Sequence, residues 1–214
     1  MIVERIVVGR FQENCYIIGD DESGIGALID PGDDAVRIVF AVEQTGLAIS
    51  QILVTHAHVD HVRAVAPLAD EYTCPVLMHS EAAATLNTLQ RQALMMGVKL
   101  GKVPKADRYI EDDEILEIGA LRLRSLYTPG HAPGHLAFYI EDEDLVFSGD
   151  TLFAGGIGRT DLPGGNMEVL MQSIFEKLLT LPDETRVLSG HGPETTIARE
   201  RMTNPFLRTG GGPL

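Results

Sequence analysis

Histidine and aspartate are concentrated in one short segment of this chain. Residues 55–61 read Thr-His-Ala-His-Val-Asp-His, between an apolar run and a segment of helical pattern. Alternate side chains of an extended loop point to one side, so His56 and His58 share a face, and the adjacent Asp60 and His61 turn to a neighbouring position. Zinc and similar divalent ions bind imidazole nitrogen and carboxylate oxygen in catalytic sites. The segment therefore predicts a metal site, and it favours two ions over one.

Three further donor residues follow apolar runs later in the chain. His131 lies in Thr-Pro-Gly-His, Asp150 in Ser-Gly-Asp-Thr and His191 in Ser-Gly-His-Gly. The glycine before each donor allows the backbone to turn tightly after a strand. Three similar strand endings are hard to attribute to packing, so we expect these residues to complete the ligand set of the first motif.

Such a site favours hydrolysis by metal-activated water. A bound divalent ion lowers the pKa of water from about 15.7 towards 7, which makes a nucleophile available at neutral pH. The sequence has neither a G-x-S-x-G nucleophile elbow nor a phosphate-binding P-loop, which argues against a serine hydrolase or a nucleotide hydrolase. A thioester suits the site, because a thiol with a pKa of about 8.5 leaves with little help from an acid.

The composition narrows the possible partners and location. The chain has 214 residues, 44% of them hydrophobic, and a formal net charge of −14, which disfavours binding to nucleic acid or to an anionic membrane. Its apolar runs are shorter than the roughly 20 residues of a membrane-spanning helix. The first residues resemble no secretory signal, and Cys15 and Cys74 fit no metal or disulfide pattern. We expect a cytoplasmic protein that binds neither nucleic acid nor membranes.

The order of strands and helices predicts the architecture. Strands are expected over residues 2–18, 26–29, 51–55, 75–78, 116–117, 121–126, 136–140, 145–148 and 186–189. Helices are expected from the Asp33 cap to Gly46, from about Ala66 to 72, from Ser80 to Gly97, from the Asn166 cap to Pro182, and over 195–202. Two largely antiparallel sheets with helices outside both would form an α/β protein, a four-layer αββα sandwich, in one domain over residues 1–214.

Two details of the helices are more specific. The first helix is expected to have an apolar face formed by Val36, Val39, Phe40 and Val42. The residues between His61 and Ala66 are expected to form a loop, because Pro67 would remove an internal hydrogen bond from a helix that began earlier.

Taken together, the motifs resemble the metallo-β-lactamase superfamily, from Asp30-Pro31-Gly32 through residues 55–61 to Ser189-Gly190-His191-Gly192. The resemblance implies that His56, His58 and His131 hold one ion, that Asp60, His61 and His191 hold the other, and that Asp150 bridges both together with a hydroxide. The two divalent ions would most readily be zinc, with iron or manganese as alternatives. Asp150 stands where the commonest β-lactamases of the superfamily have cysteine, so we do not expect antibiotic hydrolysis.

Within the superfamily the chain resembles short bacterial forms of glyoxalase II, the hydroxyacylglutathione hydrolases. The residues that carry this resemblance are 128–135, Thr-Pro-Gly-His-Ala-Pro-Gly-His, and 155–161, Gly-Gly-Ile-Gly-Arg-Thr-Asp. It implies hydrolysis of a thioester such as a glutathione conjugate, with Asp60 and Asp150 as catalytic carboxylates and Arg159 binding the substrate. The residues after His191 are too few for the helical C-terminal domain of longer family members.

Two other functions remain open. Persulfide dioxygenases share the Gly-Arg-Thr-Asp loop and hold a single iron through residues that match His56, His131 and Asp150, so an oxidoreductase is the main alternative. A non-enzymatic metal-binding module is the lesser one. Two histidines are not among the expected ligands. His79 is expected at the surface or at a helix cap, and His135 is expected either to contact the site or to have no role in it.

Overall fold

The computed structural model describes residues 1–208, which contain two six-stranded sheets. Across the first sheet lie, in order, β1 (Ile2–Val8), β2 (Glu13–Asp20), β3 (Ile25–Ile29), β4 (Ala48–Leu53), β5 (Val76–Met78) and β6 (Arg108–Tyr109). Strands β1 to β3 pair antiparallel, whereas β3 to β6 pair parallel. The carboxyl ends of β3 and β4 therefore meet at one edge of this sheet.

The second sheet contains β7 (Ile115–Ile118), β8 (Leu121–Tyr127), β9 (Leu136–Ile140), β10 (Leu145–Gly149), β13 (Arg186–Ser189) and β14 (Thr195–Thr196). Its spatial order is β14-β13-β10-β9-β8-β7, and a separate hairpin pairs β11 (Leu152–Phe153) with β12 (Gly156–Ile157). Strands β10 and β13 are parallel, so their carboxyl ends also share an edge.

Helices pack on the outer face of each sheet. The first sheet is covered by α1 (Ala35–Thr45), α2 (Val59–Val62), α3 (Val65–Tyr72), α4 (Ser80–Thr85) and α5 (Leu89–Met96). The second is covered by α6 (Met167–Ser173), which continues as a π-helical segment (Ile174–Leu178), by α7 (Ile197–Thr203) and by α8 (Pro205–Arg208). Within residues 1–208, no helix has the length and apolarity that crossing a bilayer requires.

Alternation along the strands builds the central core between the two sheets. Tyr16 and Ile18 of β2 point inward, where they join Phe138 of β9 and Phe147 of β10, while Ile17 packs outward under the helices. Burying one such side chain fully stabilises the fold by about 1.5–3 kcal/mol. Apolar layers thus lie on both faces of both sheets, and the predicted four-layer αββα sandwich is confirmed.

The predictions for the first helix need correction. Asp34, with a left-handed φ of 49°, occupies the N-cap position and forms no side-chain cap, whereas Asp33 accepts a hydrogen bond from the Asp34 N–H at 2.9 Å. Gly46 ends the helix as predicted. Val36 and Phe40 are 86% and 63% exposed. Of the predicted face Val42 is buried, together with Ile38 four residues before it, so the buried side of the helix is rotated away from Val36 and Phe40.

Other element boundaries also differ from the predictions. The expected loop before Ala66 contains the short helix α2, and α3 starts at Val65 because Pro67 lies in its first turn, where a missing N–H removes no hydrogen bond. The helix predicted over 80–97 is interrupted by a 3-10 turn at Leu86–Thr88. Asn166 caps α6 as predicted, accepting a hydrogen bond from the N–H of Val169. The helix expected from 195 begins at Ile197, because Thr195 and Thr196 form β14.

Candidate metal centre

The predicted ligands lie together at one edge of the sandwich. His56, His58 and the α2 residues Asp60 and His61 follow β4 of the first sheet. From the second sheet, His131 lies in the loop after β8, Asp150 follows β10 directly and His191 follows β13. Strands β10 and β13 are parallel, and β8 runs in the same direction as β10 because both pair antiparallel with β9, so the fold assembles donors that are far apart in sequence.

Three imidazole nitrogens form the first group of donors. His56 Nε2 lies 3.1 Å from His58 Nδ1, and His131 Nε2 lies 3.2 Å from His56 Nε2 and 2.9 Å from His58 Nδ1. Nitrogens about 2.0–2.1 Å from one tetrahedral zinc ion would lie roughly 3.3–3.4 Å from each other. The three nitrogens therefore already converge as ligands of a single ion would.

Asp60, His61 and His191 form the second group, whose donor atoms lie within 4.8 Å of one another. His191 Nε2 is 3.4 Å from Asp60 Oδ2. Asp150 lies between the two groups, because its Oδ1 is 3.5 Å from His61 Nε2 and its Oδ2 is 3.5 Å from His131 Nε2 and 3.6 Å from His191 Nε2. One carboxylate thus faces donors of both groups.

The protonation state of the site suits a metal ion. Burial acts to raise the pKa of the Asp150 carboxyl, but the positive charge of nearby His61 outweighs this effect and lowers that pKa overall. Burial, followed by repulsion from His61 and His58, holds the pKa of His56 well below its ordinary value. Among residues 1–208, the buried atoms His61 Nε2 and Asp150 Oδ1 have no hydrogen-bond partner. An ionised Asp150 carboxylate, a neutral His56 imidazole and the unpaired buried atoms of His61 and Asp150 fit a divalent cation, which would replace the proton that the neighbouring carboxylates favour on His61.

Outer contacts fix the orientation of the imidazole rings. His61 Nδ1 lies 2.9 Å from Asp30 Oδ2, and the same carboxylate accepts a hydrogen bond from the N–H of Thr55 at 2.7 Å. His131 Nδ1 donates to the carbonyl oxygen of Arg159 at 2.8 Å, which leaves the lone pair of Nε2 free for a metal. In the sequence, the position of Asp30 before Pro-Gly marks only a turn after β3, and nothing local indicates its contact with His61.

Glu13 is a buried carboxylate that the sequence analysis missed. Within the described residues neither of its side-chain oxygens has a hydrogen-bond partner, and Oε1 is 3.8 Å from His61 Nδ1. Burial raises the pKa of this carboxyl well above its ordinary value. No local sequence pattern indicates that Glu13 belongs to the site, because His61, which it approaches in the structure, is far away in sequence.

The structure brings the backbone of Arg159 to the site, but its side chain pairs elsewhere. The guanidinium is 55% exposed and makes a two-pronged contact with Asp161, with Nε and Nη2 each 2.7 Å from a carboxylate oxygen. The hydrogen bond from Arg159 lowers the pKa of Asp161 to about 2. His79 occupies the N-cap of α4, where Nδ1 accepts from the N–H of Glu81, and it is buried there.

The C-terminal helices hold the β11–β12 hairpin beside the metal centre. Glu200 of α7 is fully buried and accepts hydrogen bonds from the N–H of Gly155 at 2.8 Å and from Asn204 Nδ2 at 2.8 Å. Phe153 on the hairpin has its ring centroid 6.3 Å from that of His191. The hairpin and the loop that follows it therefore form one wall of the site.

Comparison with known proteins agrees with this geometry. The family model described as the metallo-beta-lactamase superfamily matches residues 8–191, which include both donor groups. The chain belongs to the metallo-beta-lactamase superfamily. Probable metallo-hydrolase YqgX of Bacillus subtilis is 45% identical over 205 residues, 95% of this chain and 96% of that protein. Hydroxyacylglutathione hydrolase GloC of Haemophilus influenzae is 39% identical over 211 residues, 98% of this chain and 99% of that protein. The predicted superfamily is thus confirmed, and the comparisons support an enzyme with a metal site.

Solved structures share the fold along almost the whole chain. The BLEG-1 B3 metallo-beta-lactamase superposes with a TM-score of 0.91 at 37% identity, covering 97% of this chain and 100% of that one. TTHA1623 in a di-iron-bound form has a TM-score of 0.88 at 42% identity, covering 96% and 100%. ETHE1 from Myxococcus xanthus has a TM-score of 0.81 at 29% identity, covering 96% and 84%.

Proposed function

We propose that this protein is a binuclear hydrolase that cleaves a thioester such as a hydroxyacylglutathione. The observation that carries the proposal is the position of Asp150, whose two oxygens face one donor of the first group and two of the second at 3.5–3.6 Å. The proposed ligands are His56, His58 and His131 for one ion and Asp60, His61 and His191 for the other, with Asp150 between them. Zinc is the ion we favour for this mixture of imidazole and carboxylate.

The side chains around the ligands support this role. When bound, two divalent ions would supply water of lowered pKa as the nucleophile and polarise the scissile carbonyl. Asp30 and the Arg159 carbonyl keep the His61 and His131 rings in the orientation that presents Nε2. Asp60 and Asp150 are the carboxylates to which we assign catalysis, because each lies within 3.6 Å of His191 Nε2 and losing either would open the ligand set.

Arg159 is the group that we propose for binding a carboxylate of the substrate. Its ion pair with Asp161 is largely exposed, and such pairs are worth only about 0–1 kcal/mol. A substrate carboxylate could therefore replace Asp161, since the planar fork of arginine binds either one through two hydrogen bonds. The similarity to the hydroxyacylglutathione hydrolase GloC supports an anionic glutathione conjugate as the substrate. We place the enzyme in the cytoplasm, where thiols stay reduced, and both Cys15 and Cys74 are free.

A persulfide dioxygenase with a single iron is the second candidate, and the likeness to ETHE1 is the observation that favours it. Such an enzyme would use His56, His131 and Asp150. It would leave the convergent second group, Asp60 with His191, without a role, which is why we prefer the hydrolase.

A substrate panel on one purified sample tests the proposal. We expect hydrolysis of a hydroxyacylglutathione and no oxygen uptake with glutathione persulfide. A chromogenic cephalosporin belongs in the panel because of the likeness to BLEG-1, and we expect it to be a poor substrate. Oxygen uptake without thioester hydrolysis would replace the hydrolase by the dioxygenase.

A further inference from the structure

His135 is a fully buried histidine that the proposed ligand set does not use. It lies at the end of the loop that carries His131, and its ring stacks on that of His56 with centroids 5.0 Å apart and planes inclined by 28°. The ring is therefore in the layer directly behind the metal ligands. Its two nitrogens each have a defined neighbour, and together these neighbours fix its tautomer.

The Nε2 atom of His135 accepts a hydrogen bond from the backbone N–H of Asp150 at 3.0 Å. A backbone N–H can only donate, so Nε2 must carry a lone pair and the ring proton must be on Nδ1. Nδ1 is 2.9 Å from Thr128 Oγ1 and 3.2 Å from Thr151 Oγ1, and either hydroxyl can accept that proton. The geometry thus describes a neutral ring, protonated on Nδ1.

The ring also fits closely against the turn that precedes Asp150. Gly149 has a φ of 48°, and a Cβ atom at that position would lie 2.6 Å from His135 Nε2. His135 therefore fills the space beside a left-handed turn that only glycine adopts readily. The Gly149 turn and the His135 imidazole therefore pack directly against each other.

We propose that His135 is a positioning residue, which sets the place of the Asp150 carboxylate by holding the backbone N–H of that residue. This inference rests on the proposed function only in that Asp150 binds metal there. The Asp150 oxygens face donors of both groups, so a small rotation of the turn would separate the carboxylate from one of them. Without its acceptor the buried N–H would be unsatisfied, and the turn would shift to find another.

Two isosteric substitutions separate this role from simple packing. In His135→Gln the side-chain oxygen can occupy the place of Nε2 and still accept from Asp150, whereas in His135→Asn the amide reaches only the place of Nδ1. We expect the Gln variant to bind zinc about as tightly as the unaltered protein. We expect the Asn variant to lose about ten- to hundredfold in zinc affinity, as outer contacts of metal ligands commonly do when they are removed. Competition with a chromophoric chelator measures both affinities.

Equal zinc affinity of the Asn variant and the unaltered protein would overturn the inference. It would also be overturned if both variants lost zinc affinity equally and in proportion to the decrease in the Tm of the metal-free protein. Nitrogen NMR of the unaltered protein provides a test that needs no variant: we expect His135 to be protonated on Nδ1 and bare on Nε2, and a proton on Nε2 would refute the proposal. The proposed function would fail differently, since the unaltered protein would then not hydrolyse a thioester whatever its His135 variants bind.

Discussion

Gly190→Ala is a substitution whose effect on the metal site follows from the distances around a single Cβ atom. Gly190 lies between Ser189 and His191, and its φ is outside the left-handed region, so alanine does not strain the backbone there. A Cβ atom at this position would overlap the Asp150 carboxylate and lie 2.7 Å from Cε1 of His61. Both neighbours are proposed metal ligands, and both are buried.

The required displacement is large for a metal site. Carbon atoms pack at about 3.5–4.0 Å, so the His61 ring or the loop would have to move by roughly 0.8–1.3 Å. Metal–ligand distances tolerate changes of only about 0.2 Å. A misplacement of about 1 Å can cost on the order of a hundredfold in rate. We therefore expect Gly190→Ala to lower kcat/KM for a thioester by about a hundredfold and to reduce the metal retained after dialysis.

Gly192→Ala is the matched control, two residues along the same loop. A Cβ atom there would meet nothing within 4 Å, but the φ of 78° is left-handed. This strain costs about 1–2 kcal/mol, which corresponds to a drop in Tm of roughly 2–8 °C for a protein of this size, with metal content unchanged. Metal analysis, thermal melts and steady-state kinetics on both variants decide the matter. If the Gly190→Ala protein keeps both its metal and its rate, a Cβ atom at this position does not displace the proposed ligands.

Four further substitutions test the second ligand group, the substrate contact and the hairpin. Asp60→Ala should abolish thioester hydrolysis and halve the bound metal in a binuclear enzyme; full hydrolysis with unchanged metal analysis would exclude Asp60 as a ligand. Arg159→Ala should raise the KM for an anionic thioester by about ten- to hundredfold, the value of a charged hydrogen bond, and leave the KM for a neutral thioester unchanged. Asp161→Asn should lower the KM for the anionic thioester. If Arg159→Ala has equal effects on both thioesters, Arg159 does not bind the substrate carboxylate. Glu200→Met should lower Tm by about 2–12 °C, because the N–H of Gly155 and the Asn204 amide lose their acceptor, and should raise KM by loosening the hairpin; an unchanged melt would show that the hydrogen bonds of Glu200 do not stabilise the fold.

The positions of the donor residues could be predicted because each has a local signal. His131, Asp150 and His191 each follow an apolar run and a glycine, and the fold does bring all three to one edge. The four-layer architecture could be predicted too, because the sequence pattern shows the order of the strands and helices. Which ion each residue binds stays a prediction.

Other features depend on contacts that local sequence does not record. Asp30 and Glu13 surround His61 from a different part of the chain, and Glu200 reaches a hairpin 45 residues away. The exposure of Val36 and Phe40 depends on how α1 rotates against the first sheet, which favours Ile38 over both. Arg159 and Asp161 are close in sequence, but the sequence does not show whether the Arg159 guanidinium pairs with Asp161 or binds a carboxylate of the substrate.

A zinc titration of the metal-free protein shows whether hydrolysis needs two ions. Thioester hydrolysis and bound zinc are measured on the same samples as zinc is added stepwise. If Asp150 joins two metal sites, activity should rise until two equivalents per chain are bound and then stay constant. Full activity at one equivalent, or binding of a single ion only, would contradict the binuclear hydrolase.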